Sequence, residues 1–137
     1  MRKKILIVCA NYYKDIANDL RNDSLKILKK NKISNYKIIN VPGVFEIPVL
    51  ISINIQKFDA FIALGCVIKG ETPHFDFISK ATTNALMNLT VLNKKPIGNG
   101  VLTCLNYKQA KSRSNIKGDK RKGAEATNAV LSVLKKI

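Results

Sequence analysis

The chain has 137 residues, of which 46% are hydrophobic, so it can bury a core of ordinary size and is predicted to form one domain, residues 1–137. Its apolar residues fall in short clusters and never in a run of about 18, so no membrane-spanning segment is predicted and we expect no membrane partner. The first residues, MRKKILIVCANYY, are basic and then apolar, but bulky and polar residues follow where a cleavage site needs small ones. No signal peptide is therefore predicted.

The formal net charge of +15 is the most unusual property of the composition. Lysine and arginine neutralise phosphates, so this charge is compatible with a nucleic-acid-binding module. Only four of the 24 basic residues are arginine, however, and Ile and Asn are also abundant, which is typical of A/T-rich coding sequence. The sequence contains no nucleic-acid-binding motif. We therefore expect no nucleic-acid partner, and a positive field that favours an anionic small substrate.

The three cysteines, Cys9, Cys66 and Cys104, each lie in an apolar run without a CxxC pair or an adjacent histidine. This spacing predicts thiols in the core and no metal site. Unpaired core thiols are typical of a reducing compartment, so we expect a cytoplasmic protein.

The first half of the chain predicts two strand–helix units. Residues 4–9 (KILIVC) are an apolar run of strand length, and residues 15–32 carry apolar residues at helical spacing. A second strand is predicted at residues 36–41, and a Pro-Gly pair ends it before a helix at residues 45–55.

The second half repeats this alternation. Residues 58–68 predict a third strand, and residues 97–105 a fourth. Between them, residues 74–92 predict a helix with an apolar face of Ile78, Ala81, Ala85, Leu89 and Leu92. A short helix at residues 107–114 precedes the basic loop NIKGDKRKG. The last helix is predicted to have an apolar face of Ala126, Ala129, Val130, Val133, Leu134 and Ile137.

Apolar strands alternating with helices predict a parallel sheet of four strands, covered by helices on both faces. In such sheets ligands bind beyond the carboxyl ends of the strands. The least ordinary segments of the sequence occupy those positions: ANYY (10–13), PGVFEIP (42–48), GCVIKGETPH (65–74) and the neighbourhood of Arg113.

The GETPH segment, residues 70–74, is the strongest candidate for chemistry. Gly70 allows close backbone approach, Thr72 offers a hydroxyl, and Pro73 suits a first helical turn, whose free N–H groups can hold a phosphate. His74 is the only histidine, and a helix N-terminus disfavours its protonated form, so it can accept a proton near pH 7. The alternative is a surface histidine without a role.

The other candidates each have a structural alternative. Arg113 can grip a phosphate through two parallel hydrogen bonds, with Glu125 to orient it, or it is a solvated helix residue. Glu46 stands among apolar residues, where it can accept hydrogen bonds from a polyol or amide ligand or pair with a helix dipole. Tyr12 and Tyr13 can stack on a flat heterocycle or pack in the core.

Four segments resemble the successive signature motifs of one family. They are VPGVFEIP (41–48), ALGCVIKGETPHFDFI (63–78), GVLTCLNYKQAKSR (100–113) and KGAEA (122–126). Their order and separations are similar to those of 6,7-dimethyl-8-ribityllumazine synthases, and the resemblance extends from about Lys4 to the C-terminus. It implies a flavodoxin-like, three-layer α/β/α sandwich.

The resemblance also implies a reaction. Lumazine synthases are transferases of riboflavin biosynthesis that use two small substrates, one a phosphate ester, without a cofactor or metal. By motif, His74 would move protons. The phosphate would be held by Gly70, Glu71 and Thr72, with Arg113 of an adjacent subunit. The pyrimidine and ribityl chain would contact Tyr12, Val44, Phe45, Glu46, Cys66, Val67, Ile68 and Asn99.

Two features depart from the family pattern. Asn99 stands where the family usually has an aromatic residue that closes the pyrimidine site across the subunit interface. The loop after Arg113 is about one residue longer than the GTKAGNKG-like form of the sixty-subunit capsids, and few residues precede the first strand. The resemblance therefore implies a homopentamer in preference to a capsid. Lys117 and Lys122 match the family's basic positions in this loop.

Three functions remain open at this point. They are the synthase, a non-catalytic flavin- or lumazine-binding relative suggested by Asn99, and a nucleic-acid-binding module suggested by charge alone. The presence of both His74 and Arg113 favours the enzyme.

Overall fold

The computed structural model describes residues 2–115, 117–118 and 120–137, so two positions of the predicted basic loop lie outside the described residues. Within them the strands form one sheet in the spatial order β2-β1-β3-β4, and every neighbouring pair is parallel. The strands are β1 (Ile5–Ala10), β2 (Tyr36–Val41), β3 (Ala60–Ile68) and β4 (Ile97–Cys104). The predicted class, α/β with a four-stranded parallel sheet, is confirmed.

Helices connect the strands and lie close to their predicted bounds. They are α1 (Lys14–Lys30), a 3₁₀ turn (Val44–Glu46), α2 (Ile47–Ile53), α3 (His74–Asn93), α4 (Tyr107–Ser114) and α5 (Lys122–Leu134). The second predicted helix is thus divided into a 3₁₀ turn and α2. Pro48 stands in the first turn of α2, where its missing N–H leaves no hydrogen bond unmade.

The sheet separates two apolar cores, because successive side chains of a strand point to opposite faces. In β1, which is buried throughout, Ile7 and Cys9 face the core shared with α1, α4 and α5. Leu6 and Val8 face the second core, formed with α2 and α3. The result is the three-layer arrangement of a sheet between two helical layers.

The predicted apolar face of the last helix is partly wrong. Ala126, Val130 and Leu134 are buried as expected, but Ala129, Val133 and Ile137 are exposed, and Ala124, Thr127 and Leu131 are buried instead. The helix is rotated toward α1, against which its small residues pack closely. Since apolar residues occupy two adjacent stripes of α5, periodicity alone did not show which one meets the sheet.

The predicted face of α3 is also partly wrong, because this helix is apolar on more than one side. Thr82 and Leu86 are its buried residues, and Ile78, Ala85 and Leu89 are partly buried. Ala81 is exposed, and Leu92 is 80% exposed. One apolar stripe of α3 therefore packs on the sheet and another remains on the surface.

Glycines allow α5 to approach its neighbours closely. A Cβ atom on Gly98 of β4 would lie 2.8 Å from Val130 Cγ2 and would collide with the carbonyl oxygen of Ala126. A Cβ atom on Gly123 would collide with the carbonyl oxygen of Leu20 in α1. Backbone atoms at these contacts cannot rotate away, so the positions require glycine.

We expect Gly98→Ala to lower the free energy of unfolding by roughly 1–3 kcal/mol, the usual result of adding a methyl group to a packed interface. Gly70→Ala is the matched control, since a Cβ atom there meets nothing within 4 Å. Urea denaturation of both variants measures the difference. Equal stability of the two variants would contradict the close approach of α5 to β4.

Candidate active site

The carboxyl ends of all four strands meet at one edge of the sheet, as they must in a parallel arrangement. Backbone hydrogen bonds hold the ends together. Asn11 N donates to the carbonyl of Val41 at 3.0 Å, and Lys69 N donates to the carbonyl of Cys104 at 2.9 Å. The four segments that the sequence singled out are therefore brought to the same edge.

The 3₁₀ turn after β2 is pressed against β3 through a glycine. A Cβ atom on Gly65 would lie 2.8 Å from Val44 Cγ2, so only glycine lets Val44 sit on the sheet. Val44 is buried, while Phe45, the next residue, points outward and is 62% exposed. Glu46 N donates to the carbonyl of Gly43 at 3.2 Å, which closes the turn. An apolar ring and a half-buried carboxylate are thus presented side by side at the edge.

The two tyrosines after β1 have different environments. Tyr13 packs against the core, where burial raises the pKa of its phenol, so it is a packing residue. Tyr12 meets the Tyr13 ring edge to face, with centroids 4.9 Å apart and an interplanar angle of 82°. Tyr12 is otherwise 74% exposed, and its ring remains available to stack on a flat ligand.

The end of β3 passes from the core to the surface. Cys66 is buried, Val67 and Ile68 are partly buried, and Lys69 is exposed. Burial, followed by the neighbouring Cys104 thiol, raises the pKa of the Cys66 thiol to about 12. Cys66 therefore remains a neutral thiol at physiological pH, and a neutral thiol is a poor nucleophile.

The GETPH turn connects β3 to α3 and is exposed from Gly70 to His74. Gly70 has open space around it, because a Cβ atom added there would meet nothing within 4 Å. His74 begins α3, a helix of 20 residues, and its backbone N–H donates a long hydrogen bond of 3.4 Å to Thr72 Oγ1. The predicted position of the turn at a helix N-terminus is confirmed, and the partial positive charge of that helix end suits an anion.

Arg113 lies in the last turn of α4, near the end of β4. A hydrogen bond from Gln109 N to the Asn106 side chain caps the start of α4 at 2.9 Å. The Arg113 Nη1 atom contacts Cys104 Sγ at 4.0 Å. Because α4 and α3 pack on opposite faces of the sheet, the sheet lies between Arg113 and the helix of His74. Among the described residues, no hydrogen bond joins Arg113 to the GETPH turn.

Glu125 does not have the partner expected from the sequence. Its Oε1 atom lies 3.3 Å from Lys122 Nζ, and its side chain is mostly exposed. It therefore pairs with Lys122 within the first turn of α5 and not with Arg113. Lys117 is exposed, with its backbone N–H donating to the Asn115 side chain at 2.9 Å.

Asn99 is distant from the other candidates within one chain. It lies in β4, an edge strand, where it pairs with Ala63 of β3. It is five positions before the end of β4, which corresponds to roughly 16 Å along the strand. Its side-chain oxygen accepts a hydrogen bond from Val101 N at 3.0 Å within the same strand. A ligand at the carboxyl edge of the same chain is out of its reach.

Comparison with known proteins identifies the family. The model of the family described as 6,7-dimethyl-8-ribityllumazine synthase matches residues 2–137. Proteins of that name from Bartonella bacilliformis and Bartonella tribocorum are each 42% identical to this chain, over 95% and 98% of it and over 87% and 91% of their own length. The protein of that name from Agrobacterium fabrum is 40% identical over 95% of this chain and 91% of its own length.

The chain belongs to the 6,7-dimethyl-8-ribityllumazine synthase family. The motifs that carried the resemblance are the segments that meet at the carboxyl edge, with the exception of the last, which begins α5.

Three acidic residues of α1 were missed by the sequence reasoning. Asp15, Asp19 and Asp23 recur at intervals of four, so they lie along one face of the helix. Their partners on the C-terminal part of the chain are the Tyr107 hydroxyl, Lys111 and Arg121, respectively. The hydrogen bond to Asp19 raises the pKa of Lys111, which therefore stays charged. The regular spacing was a signal that could have identified this row.

Residues 2–115, 117–118 and 120–137 contain no cluster of three His, Cys, Asp or Glu side chains that could hold a metal ion. No helix in this part of the chain combines the length and the apolar character that a membrane span needs.

We expect the three thiols to be unreactive in the folded protein at pH 8. Cys9, Cys66 and Cys104 are free and buried, and burial raises the pKa of Cys9 and Cys66, so little thiolate is present to attack a reagent. Reaction with dithiobis-nitrobenzoate should be slow in buffer and complete for all three in guanidinium. A thiol that reacts in the folded state as fast as free cysteine would contradict this arrangement.

Proposed function

We propose that this protein condenses 5-amino-6-(D-ribitylamino)uracil with 3,4-dihydroxy-2-butanone 4-phosphate. The products are 6,7-dimethyl-8-ribityllumazine, phosphate and water, and the reaction is the penultimate step of riboflavin biosynthesis. The observation that carries this proposal is the family match over residues 2–137, with three of the four motif segments meeting at one edge of the sheet. The unpaired, buried thiols support a cytoplasmic location.

The pyrimidine would bind over the 3₁₀ turn. The exposed rings of Tyr12 and Phe45 offer apolar surface for a flat heterocycle, and the Glu46 carboxylate offers acceptors for its N–H groups or for ribityl hydroxyls. Val44 forms the floor of this region because Gly65 lets it lie on the sheet. The backbone of Cys66, Val67 and Ile68 ends at the same edge and can hydrogen bond the ring. Asn99 would approach from another subunit, since it is remote from this edge in its own chain.

The phosphate would bind at the GETPH turn. The dipole of a 20-residue helix adds partial positive charge at its N-terminus, and the exposed backbone of the turn leaves an anion room to approach it. Gly70 leaves open space for the phosphate, and Glu71 and Thr72 complete the turn around it. Arg113 would reach it from the adjacent subunit, because in its own chain the sheet lies between Arg113 and α3.

His74 would move the protons of the reaction. The 5-amino group attacks the ketone and water leaves, giving an imine. Removal of a proton next to the imine then expels phosphate, and the ribitylamino nitrogen closes the ring with loss of a second water. His74 stands exposed at the first position of α3, beside the phosphate turn, where it can serve as base and acid in turn. Holding the two substrates together supplies much of the remaining acceleration.

The assembly we propose is a homopentamer, with the α2 and α3 side of the chain at the interface. This side exposes large apolar residues that a monomer would leave in water: Val49, Ile53, Phe77, Met87, Val91 and Leu92. The longer loop after Arg113 favours a pentamer over a sixty-subunit capsid. Light scattering should give five times the chain mass of 15.2 kDa.

His74→Asn should lower kcat by about 10²-fold or more, because it removes the proton carrier. The dissociation constant of the pyrimidine substrate should stay within about twofold, since His74 lies at the phosphate end of the site. Formation of the lumazine is followed by its near-ultraviolet absorbance, with the rate without protein subtracted. Unchanged kcat would remove the proton role, and a wild-type protein no faster than the background would remove the proposed reaction.

Arg113→Ala should raise KM for the phosphate substrate about tenfold, which corresponds to one charge-assisted hydrogen bond. Pentamers reassembled from a mixture of the Arg113→Ala and His74→Asn chains should be more active than either alone. Some interfaces in the mixture then join an intact His74 to an intact Arg113. A mixture no more active than the average of its components would show that both residues serve the same chain.

A further inference from the structure

Asp23 is a fully buried carboxylate whose two oxygens have separate partners. Its Oδ1 atom accepts from Arg121 Nε at 3.0 Å and Nη2 at 2.5 Å, and its Oδ2 atom accepts from Ala124 N at 2.8 Å. One carboxylate of α1 therefore binds both the end of the loop between α4 and α5 and the first turn of α5. Burying a charge costs free energy, so holding α1 and α5 together does not by itself explain this ion pair.

Neighbouring groups already hold α1 and α5 together. The hydroxyls of Ser24 and Thr127 are 2.6 Å apart, and Thr127 also donates to the carbonyl of Gly123 at 2.8 Å. Gly123 and the apolar residues around it bring the two helices into close contact. Asp23 instead orients Arg121. Two hydrogen bonds, from Nε and Nη2 to Asp23 Oδ1, hold the guanidinium in one orientation.

The loop that Arg121 ends also contacts the helix of Arg113. A Cβ atom on Gly118 would lie 2.7 Å from the carbonyl oxygen of Ser112, the residue before Arg113. The Gly118 N–H donates to the carbonyl of Asn115 at 2.9 Å, so Gly118 lies against the end of α4. Lys120, next to Arg121, lines one recess together with Arg113. A displacement of Arg121 would therefore shift the last turn of α4, which carries Arg113.

We propose that Asp23 is a positioning residue for the phosphate substrate. Through Arg121 it sets where Gly118 and Lys120 lie against the last turn of α4, and so the direction in which Arg113 is presented to the phosphate in the adjacent subunit. Asp23 itself touches no substrate. This inference rests on the function proposed above for Arg113.

The test compares Asp23→Asn, Arg121→Met and the double variant in steady-state kinetics with both substrates. In each variant KM for the phosphate substrate should rise at least about threefold, while kcat and KM for the pyrimidine stay within about twofold. The double variant should be no worse than either single one, because all three lose the same link. It should also be more stable than Arg121→Met, which leaves the Asp23 charge buried without its partner. Recovered stability with a still elevated KM distinguishes positioning from a structural role.

Asp59→Asn is the matched control. Asp59 accepts a hydrogen bond from Lys4 N at 2.7 Å at the opposite end of the sheet, so its loss should lower stability and leave both KM values unchanged. Arg121→Lys, which keeps the charge but not the paired bonds, should give an intermediate KM. If a single variant does not fold, the double variant decides the question, because it removes the buried Asp23 charge together with its partner.

Two results would overturn the inference. One is a folded Arg121→Met protein with unchanged KM for the phosphate substrate. The other is additive effects in the double variant, which would show that Asp23 and Arg121 act on phosphate binding independently. Binding of inorganic phosphate, measured by calorimetry on the same variants, gives a readout that needs no turnover. A wild-type protein that forms no lumazine would thus refute the proposed reaction, while the phosphate affinities would still decide the role of Asp23.

Discussion

Burial of the central strands on both faces is the constraint on which the rest of the structure depends. β1 is buried along its whole length, and β3 is buried from Ala60 to Cys66. Backbone groups in such strands can find partners only in neighbouring strands, and their side chains must be apolar. Polar and charged chemistry is therefore excluded from these two strands and appears where they end. In a parallel sheet those ends lie along one edge, which concentrates the candidate residues there.

Glycines transmit this constraint from the sheet to the site. Gly65 lets the 3₁₀ turn rest on β3, which buries Val44 and turns Phe45 outward. Gly98 and Gly123 let α5 lie against β4 and α1, which brings Ala124 within reach of Asp23. The positions of the functional side chains thus depend on residues that have no side chain of their own. Close packing makes them intolerant of even one added methyl group.

The proposed site is incomplete in one chain, and the same helix explains why. α3 begins with His74 and the phosphate turn, and farther along it exposes an apolar stripe that includes Met87, Val91 and Leu92. Covering that stripe with a second copy would bring another surface next to the turn. We propose that this second copy supplies Arg113 and Asn99. In its own chain, Arg113 is separated from the phosphate turn by the sheet, and Asn99 is distant from the carboxyl ends of the strands. In this proposal, both assembly and catalysis depend on α3.

The sequence by itself determined the four strands, the order of the helices and the edge at which ligands would bind. Few folds other than a parallel α/β sheet fit short apolar runs that alternate with helical periods. The GETPH motif directly follows the third of these runs, which placed it at the carboxyl end of a strand. Tertiary structure decided which stripe of α3 and α5 meets the sheet, that Tyr13 packs while Tyr12 is free, and that Glu125 pairs with Lys122. It also revealed the partners of Asp15, Asp19 and Asp23, which lie about 90 to 100 residues away along the chain. Periodicity reports the spacing of residues on one element, whereas their partners depend on how that element is rotated against others.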